Sequence, residues 1–215
     1  MEDDDEISKT VPPWVDLEYA HMRTLAGPKS RVLFTNLSKV SAESLENKFK
    51  SSASSSTSET LAEVSCRTAG ILEIIKEELR GSLEKVCLLD PKAEKEISPE
   101  DGDGRFEWFL FGGILGDDPP RDRTGELRVL GFPGRRLGPV QMTTDTALGV
   151  TKRVVHDKVP LDKIEYTEFP TIRFNSKESV EMPFRYMTEG LSKEPLLPPG
   201  MRQLLHEDLN KSFDF

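Results

Sequence analysis

The sequence predicts an α/β fold in which helices cover both faces of a mostly parallel β-sheet. Short apolar runs of strand length alternate with amphipathic helical segments along the chain, which is typical of this class. The run from Val86 to Leu89 is apolar at every position and therefore indicates a strand buried on both faces of a parallel sheet. Ligands of such sheets bind outside the carboxyl ends of the strands, so residues at those ends are the first candidates for a site.

The individual elements follow from apolar spacing and from the glycines and prolines that interrupt it. Helices are predicted at residues 14–25, 41–50, 68–80, 124–129, 143–156 and 201–210. Strands are predicted at residues 31–35, 86–90, 106–111, 132–137 and 163–169. Residues 170–186 contain two prolines and show no clear period, so we expect irregular structure there.

A serine-rich tract interrupts the alternation of strands and helices. Residues 51–58 consist of serine, alanine and threonine, and they cannot bury enough apolar surface to fold. We interpret this tract as a disordered insertion at about 51–60. It lies within a single domain that spans residues 1–215, because the segment before the tract is too small to fold alone.

The composition favours a protein partner over a nucleic acid or a membrane. The 215-residue chain has a formal net charge of -9 at pH 7, which suits a basic partner better than a phosphate backbone. Cys66 and Cys87 lack metal-ligand spacing and indicate a reducing compartment. The sequence has no apolar run of about 18 residues that could span a membrane, and no secretory signal at its acidic N-terminus. We therefore expect a cytoplasmic protein.

A glycine-rich segment follows the strand predicted at residues 106–111. Gly112, Gly113 and Gly116 lack side chains, so a ligand can approach the main chain and bond to its amides. Ile114 and Leu115 could form an apolar slot between these glycines. The pattern alone fits a tight turn with a charged rim equally well.

A second cluster of hydrogen-bonding side chains surrounds the start of the helix predicted at residues 143–156. Gly138 begins a turn, and Gln141, Thr143, Thr144 and Asp145 follow it. By itself this pattern indicates an ordinary capped helix. Beside the glycine-rich segment it predicts the second wall of one pocket.

Several familiar catalytic patterns are absent from the sequence. The glycines at residues 112–116 have neither the Walker spacing nor a following lysine, and the dinucleotide-binding fingerprint is also missing. His21, His156 and His206 are scattered along the chain, so a zinc site is not expected. A nucleophile elbow does not occur, which leaves hydrolase chemistry without support.

Six sequence blocks, in the same order, resemble the SPOUT-class fungal protein arginine methyltransferases that modify protein three of the small ribosomal subunit. The blocks are residues 86–91, 111–117, 119–124, 135–138, 141–146 and 181–186. Each block is a weak signal by itself. Together they make the resemblance specific over residues 12–205, with the serine-rich tract outside it.

The resemblance implies the SPOUT α/β fold, whose C-terminal part forms a deep trefoil knot that spacing arguments would not predict. It also implies that S-adenosylmethionine binds in a bent form in the knot, and that the enzyme acts as a monomer on a basic ribosomal protein. Neither a metal nor a membrane is expected to take part. The residues implied to bind S-adenosylmethionine are Leu89, Asp90, Phe111, Gly112, Gly113, Ile114, Leu115, Gly116, Leu137, Gly138, Gln141, Met142, Thr143, Thr144 and Asp145.

The implied reaction transfers the sulfonium methyl group to a guanidinium nitrogen, and we expect one methyl group per arginine. Arginine is a poor nucleophile because its charge is delocalised and it keeps its proton. A carboxylate can orient the guanidinium and accept its proton as the nitrogen is alkylated. Asp117 is the first candidate, and Asp122 and Glu181 are alternatives. For each of them, an ion pair with a neighbouring arginine is the simpler interpretation.

Two other functions remain open from the sequence. An RNA methyltransferase of the same fold would bind RNA in a salt-dependent manner. It is favoured by the basic residues Arg121, Arg123, Arg128, Arg135, Arg136, Lys152 and Arg153. A non-catalytic interaction protein of the same fold is less favoured because the pocket motifs are intact, and it would fail to bind S-adenosylmethionine.

The N-terminus departs from the pattern of the resembled family. That family has a short β-strand before the acidic turn and the first helix, whereas here Met1 stands where the strand should end. We therefore expect an empty position in the sheet and an exposed strand edge. Such an edge would affect stability more than chemistry.

Overall fold

The computed structural model describes residues 11–52, 60–113, 122, 124–188, 190 and 192–211. Helices α1 to α6 are Pro13–Ala26, Lys39–Ser52, Ile71–Glu78, Gly125–Arg128, Thr144–Val155 and Met201–Lys211. Strands β1 to β9 are Arg31–Phe34, Glu63–Cys66, Val86–Leu89, Trp108–Phe111, Gly134–Arg135, Tyr166–Glu168, Thr171–Arg173, Ser179–Glu181 and Arg185–Met187. Every predicted helix and strand overlaps one of these elements, whereas β2, β7, β8 and β9 have no predicted counterpart.

β3 is the middle strand of a three-stranded parallel sheet with the order β4-β3-β5. All four of its side chains are buried, which confirms the prediction from the continuous apolar run. Val86 and Leu88 pack in one cluster with Ile75 of α3. Cys87 and Leu89 pack in a second cluster, which includes Val154 of α5. Helices therefore cover both faces of this sheet, as the α/β class requires.

A second, two-stranded parallel sheet is formed by β1 and β2. Residues of β1 and β4 line the same cavity, which has a volume of about 1030 Å³. Among the described residues, neither β1 nor β4 has a partner on its second edge. The parallel strands therefore form two separate sheets in the described part of the chain.

Residues 166–187 form two antiparallel strand pairs, β6 with β9 and β7 with β8. The interpretation of residues 170–186 as irregular is therefore wrong. Each of these strands has only three residues, which is too short to show a period of two. Ile172 and Tyr186 from this region are core residues, at 1% and 2% exposure.

The first two residues of the disordered insertion predicted at about 51–60 are helical instead, because α2 continues through Ser52. Residues 53–59 of the predicted insertion lie outside the described residues. The predicted disordered insertion therefore remains a prediction for that segment, and so does the single domain over residues 1–215.

Both cysteine thiols are buried, and we expect them to be unreactive in the native protein. Burial raises the pKa of the Cys66 thiol to about 11 and that of the Cys87 thiol to about 12. The thiolate is the reactive form, so at pH 8 the native protein should react with Ellman's reagent only as fast as it unfolds. Absorbance measured with and without guanidinium chloride tests this expectation. Rapid stoichiometric labelling of the native protein would contradict it.

Candidate functional site

A cavity of about 320 Å³ lies at the carboxyl ends of β3, β4 and β5. Leu89 at the end of β3 lies opposite both Phe111 on β4 and Arg135 on β5. This register brings the loops that follow the three strands to one edge of the sheet, where open α/β sheets bind ligands. The loop residues that line the cavity are Leu89, Asp90, Pro91, Phe111, Gly112, Gly113 and the segment 137–144.

Most of the residues that the sequence predicts for the cofactor site lie in this cavity wall. They are Leu89, Asp90, Phe111, Gly112, Gly113, Leu137, Gly138, Gln141, Met142, Thr143 and Thr144, together with the catalytic candidate Asp122. The predicted residues Ile114, Leu115, Gly116 and Asp117 lie outside the described residues. Asp145 and Glu181 are described, but neither of them lines the cavity.

The segment 137–144 forms one wall of the cavity, and a turn, a backbone hydrogen bond and the start of α5 fix its position. Gly138 has a φ angle of 89°, in the left-handed region, and turns the chain after β5. The backbone N–H of Arg185 donates to the carbonyl oxygen of Gln141 at 3.0 Å, which joins the segment to β9. Thr143 is the N-cap residue of α5, so the segment runs directly into that helix.

A network of ion pairs fixes the rim of the cavity beside β3. Arg128 Nη2 donates to Asp90 Oδ1 at 2.7 Å and to Asp122 Oδ1 at 3.1 Å. The Thr124 hydroxyl also donates to Asp90, and Lys92 Nζ donates to Asp122 at 2.6 Å. Hydrogen bonds from Arg128 hold the pKa of both carboxyl groups below the usual value. Both aspartates are therefore ionised at neutral pH and already have cationic partners.

Asp145 and Glu181 lie outside the cavity wall because the elements that carry them direct both side chains to other parts of the fold. Asp145 is the second residue of α5 and faces α1, where its Oδ2 atom is 2.7 Å from His21 Nδ1. Both side chains of this pair are at most 5% exposed. Glu181 ends β8, where it lies opposite Thr171 and is exposed. A separate antiparallel pair of strands therefore holds it away from the cavity.

α1 contributes two cavity residues, Trp14 and Glu18, that the sequence motifs did not indicate. Their spacing of four residues places them on the same face of the helix. Glu18 is only 5% exposed, although glutamate side chains are mostly exposed in folded proteins. A glutamate on the buried face of an amphipathic helix was the available sequence signal.

The described part of the chain offers neither a metal centre nor a membrane span. No group of three or more His, Cys, Asp or Glu residues within it could hold a metal ion. None of its helices is both long enough and apolar enough to cross a bilayer.

A family model and a curated relative that match this chain carry the same enzyme name. The family model described as "Protein arginine N-methyltransferase SFM1-like" matches residues 2–212. Protein arginine N-methyltransferase SFM1 of Saccharomyces cerevisiae is 47% identical over 134 residues, which cover 60% of this chain. The same alignment spans 62% of the yeast protein, which is less than two thirds of its length.

Solved structures of the yeast enzyme match nearly the whole chain. The structure complexed with SAM has a TM-score of 0.78 at 34% identity and covers 97% of this chain and 88% of that one. The structure complexed with SAH has a TM-score of 0.77 at 34% identity and covers 95% of this chain and 91% of that one. The resemblance inferred from the six sequence blocks is confirmed. The chain belongs to the SFM1-like family of protein arginine N-methyltransferases.

Proposed function

We propose that this chain is an S-adenosylmethionine-dependent methyltransferase that monomethylates an arginine of a basic protein in the small ribosomal subunit. The cavity at the ends of β3, β4 and β5 carries this proposal, because it gathers the motif loops into one site. The yeast relative, named a protein arginine N-methyltransferase and solved with SAM, supports the choice of reaction. The net charge of -9 suits a basic substrate.

The residues of the cavity fit S-adenosylmethionine, which supplies an electrophilic methyl group on a sulfonium sulfur. A volume of about 320 Å³ is within the range of small-molecule sites. Apolar side chains such as Leu89, Phe111 and Met142 suit the adenine ring, and Gln141 and Thr143 offer hydrogen bonds. We include the predicted residues Ile114, Leu115 and Gly116 in the binding set, and we leave out Asp145 because it contacts His21 instead.

Among the three predicted catalytic carboxylates, Asp117 remains the one that we propose to contact the substrate. This choice depends on the motif resemblance alone. Asp122 lines the cavity but is already bonded to Arg128 and Lys92. Glu181 lies outside the cavity wall.

The resemblance also supports three finer features of the proposal. The C-terminal part of the chain threads through a loop to form the deep trefoil knot of the SPOUT fold. The enzyme acts as a monomer, and it meets its substrate in the cytoplasm. Size-exclusion chromatography with light scattering tests the monomer, for which a mass near 24.2 kDa is expected.

The competing function, RNA methylation, is less favoured because most of the basic residues that suggested it are paired with carboxylates. The pairs are Arg128 with Asp90 and Asp122, Arg135 with Asp101, Arg136 with Glu96, and Lys152 and Arg153 with Asp157. Paired charges of this kind offer little net attraction to a phosphate backbone. Arg121 and Arg123 lie outside the described residues.

Methyl transfer from labelled S-adenosylmethionine tests the proposed function. The acceptors are small ribosomal subunits, their extracted proteins and their extracted RNA, each assayed separately. We expect label in the protein fraction that resists nuclease and is recovered as monomethylarginine after acid hydrolysis. Label that disappears with nuclease would instead assign the chain to RNA methylation.

A further inference from the structure

We infer that Arg185 is a positioning residue for S-adenosylmethionine, and that it acts by holding the segment 137–144 in place at the cavity. The inference rests on the part of the proposed function that names this ligand, and it applies to any methyl acceptor. Arg185 lies in the sequence block 181–186, of which only Phe184 lines the cavity. Its backbone, its guanidinium group and its side-chain partners each provide a separate observation.

The backbone of Arg185 is paired on two sides. On one side, Arg185 lies opposite Glu168 in the antiparallel pair of β6 and β9. On the other side, its N–H group donates to the carbonyl oxygen of Gln141, and an isolated parallel bridge pairs Arg185 with Met142. Arg185 therefore attaches the segment 137–144 to the C-terminal pair of strands.

The guanidinium group of Arg185 packs against the turn at Gly138. A Cβ atom added at Gly138 would lie 3.7 Å from Arg185 Nη1, which is an ordinary van der Waals distance. Apart from the chain neighbours of Gly138, no other described residue comes within 4 Å of that position. Gly138 lines the cavity and Arg185 does not, so the guanidinium supports the turn from the side away from the cavity.

Two residues of β6 hold the guanidinium group in this position. Arg185 Cζ lies 4.7 Å from the centroid of the Tyr166 ring, within the range of a cation–π contact. Burial raises the pKa of Tyr166 to about 12, so the ring is a neutral phenol at neutral pH. Arg185 Nη2 also donates to the carboxylate of Glu168. The Arg185 side chain is 15% exposed, so these contacts are largely shielded from water.

One hydrogen-bond donor of this guanidinium group has no acceptor. The Nε atom of Arg185 is buried and lacks a hydrogen-bond partner among the described residues. An unpaired buried donor is unfavourable, and native proteins contain few of them. A guanidinium placed for stability alone would use this donor, as Arg135 does with Asp101. The contact with Gly138 therefore explains the position of Arg185 better than a contribution to stability does.

Three cavity residues connect Arg185 to the ligand. Gly138, Gln141 and Met142 all line the cavity. Arg185 contacts Gly138 through its side chain, and it pairs with the other two through its backbone. Loss of the side chain removes the support at Gly138 and leaves the backbone pairing in place. The segment can then shift, and ligand affinity falls because productive contacts require positions held within about 0.5 Å.

The variant Arg185→Met keeps much of the apolar part of the side chain and removes the guanidinium group. We expect affinity for S-adenosylhomocysteine, measured by calorimetry, to fall about tenfold. In the methyl-transfer assay, KM for S-adenosylmethionine should rise by a similar factor. The kcat at saturating S-adenosylmethionine should stay within about threefold, because Arg185 lies outside the cavity wall. Unchanged affinity of a folded Arg185→Met would overturn the inference.

Arg135→Met is the matched control, because the two arginines have similar surroundings. Arg135 is 14% exposed and pairs with Asp101, and its Cζ atom lies 5.3 Å from the centroid of the Phe106 ring. Its side chain makes more hydrogen bonds than that of Arg185, so Arg135→Met should lower the midpoint of urea unfolding further. Its affinity for S-adenosylhomocysteine should stay within about twofold of wild type, because Arg135 does not line the cavity. If the less stable variant also binds more weakly, general destabilisation explains the loss and the inference is overturned.

Glu168→Gln decides the matter if Arg185→Met does not fold. Glu168 is 44% exposed, so its replacement should be tolerated. Glutamine keeps the shape of the side chain and removes the charge that holds Arg185 Nη2, so the guanidinium is less firmly fixed. We expect affinity for S-adenosylhomocysteine to fall about fivefold. Unchanged affinity of this variant would overturn the inference.

Failure of the proposed function gives a different result from failure of the inference. A wild-type chain that binds no S-adenosylhomocysteine, or that labels no arginine in any protein fraction, refutes the proposed function before any variant is compared. A wild-type chain that binds the ligand and labels arginine, with Arg185→Met and Arg135→Met equal to it in affinity, refutes the inference alone.

Discussion

Replacing His21 with leucine should lower the free energy of unfolding by about 3–5 kcal/mol. The reason is the buried contact between His21 Nδ1 and Asp145 Oδ2, at 2.7 Å, in which neither side chain is more than 5% exposed. Leucine fills a similar volume but leaves the Asp145 carboxyl group buried without its partner. Urea unfolding monitored by circular dichroism measures the change.

A double-mutant cycle separates the contribution of the His21–Asp145 contact to stability from the contribution of side-chain packing. Replacing both His21 and Asp145 with leucine should cost less than replacing His21 alone, because an apolar pair needs no compensation. His156→Leu is the matched control, since His156 contacts Asp157 at 3.0 Å but is 75% exposed. Exposed ion pairs contribute little to stability, so this variant should unfold close to wild type. Equal effects of the two histidine variants would contradict the buried-pair explanation.

The parts of the fold that could be predicted are those in which one local pattern determines the structure. β3 is apolar at every position, and its burial on both faces follows directly. The four-residue β2 and the three-residue strands β7 to β9 show no such pattern. Their pairing is decided by long-range contacts, as when Ile172 packs with Tyr186, and sequence spacing does not report these contacts.

The lining of the candidate cavity was predictable to the extent that it is built from contiguous motifs. Residues such as Gly112 and Gln141 follow predicted strands, and the parallel register then brings their loops to one edge. Glu18 was missed because its place in the cavity wall depends on the packing of α1 against α5. Asp145 was wrongly expected in the cavity wall because the prediction relied on its position in the sequence. Its sequence neighbours line the cavity, but the turn of the helix directs its side chain to His21.

Gly138→Val should weaken binding of S-adenosylhomocysteine by about a hundredfold, because the chain turns at this glycine into the segment 137–144, which we propose to contact the ligand. Gly138 has a φ angle of 89°, and valine is strongly disfavoured in that region. A chain that avoids this strain must turn differently after β5, and the segment 137–144 then loses its contacts with the ligand. Calorimetric titration measures the affinity.

Gly131→Val is the matched control for backbone strain alone. Gly131 has a φ angle of 85°, nearly the same as that of Gly138, and an added Cβ atom there would meet nothing within 4 Å. It lies in the turn between α4 and β5, outside the cavity wall. Both variants should lose about 1–3 kcal/mol of stability from strain, but only Gly138→Val should lose ligand affinity. If both variants bind S-adenosylhomocysteine equally well, the segment 137–144 does not contact this ligand. If both lose affinity equally, strain transmitted through β5, and not local contact, is the cause.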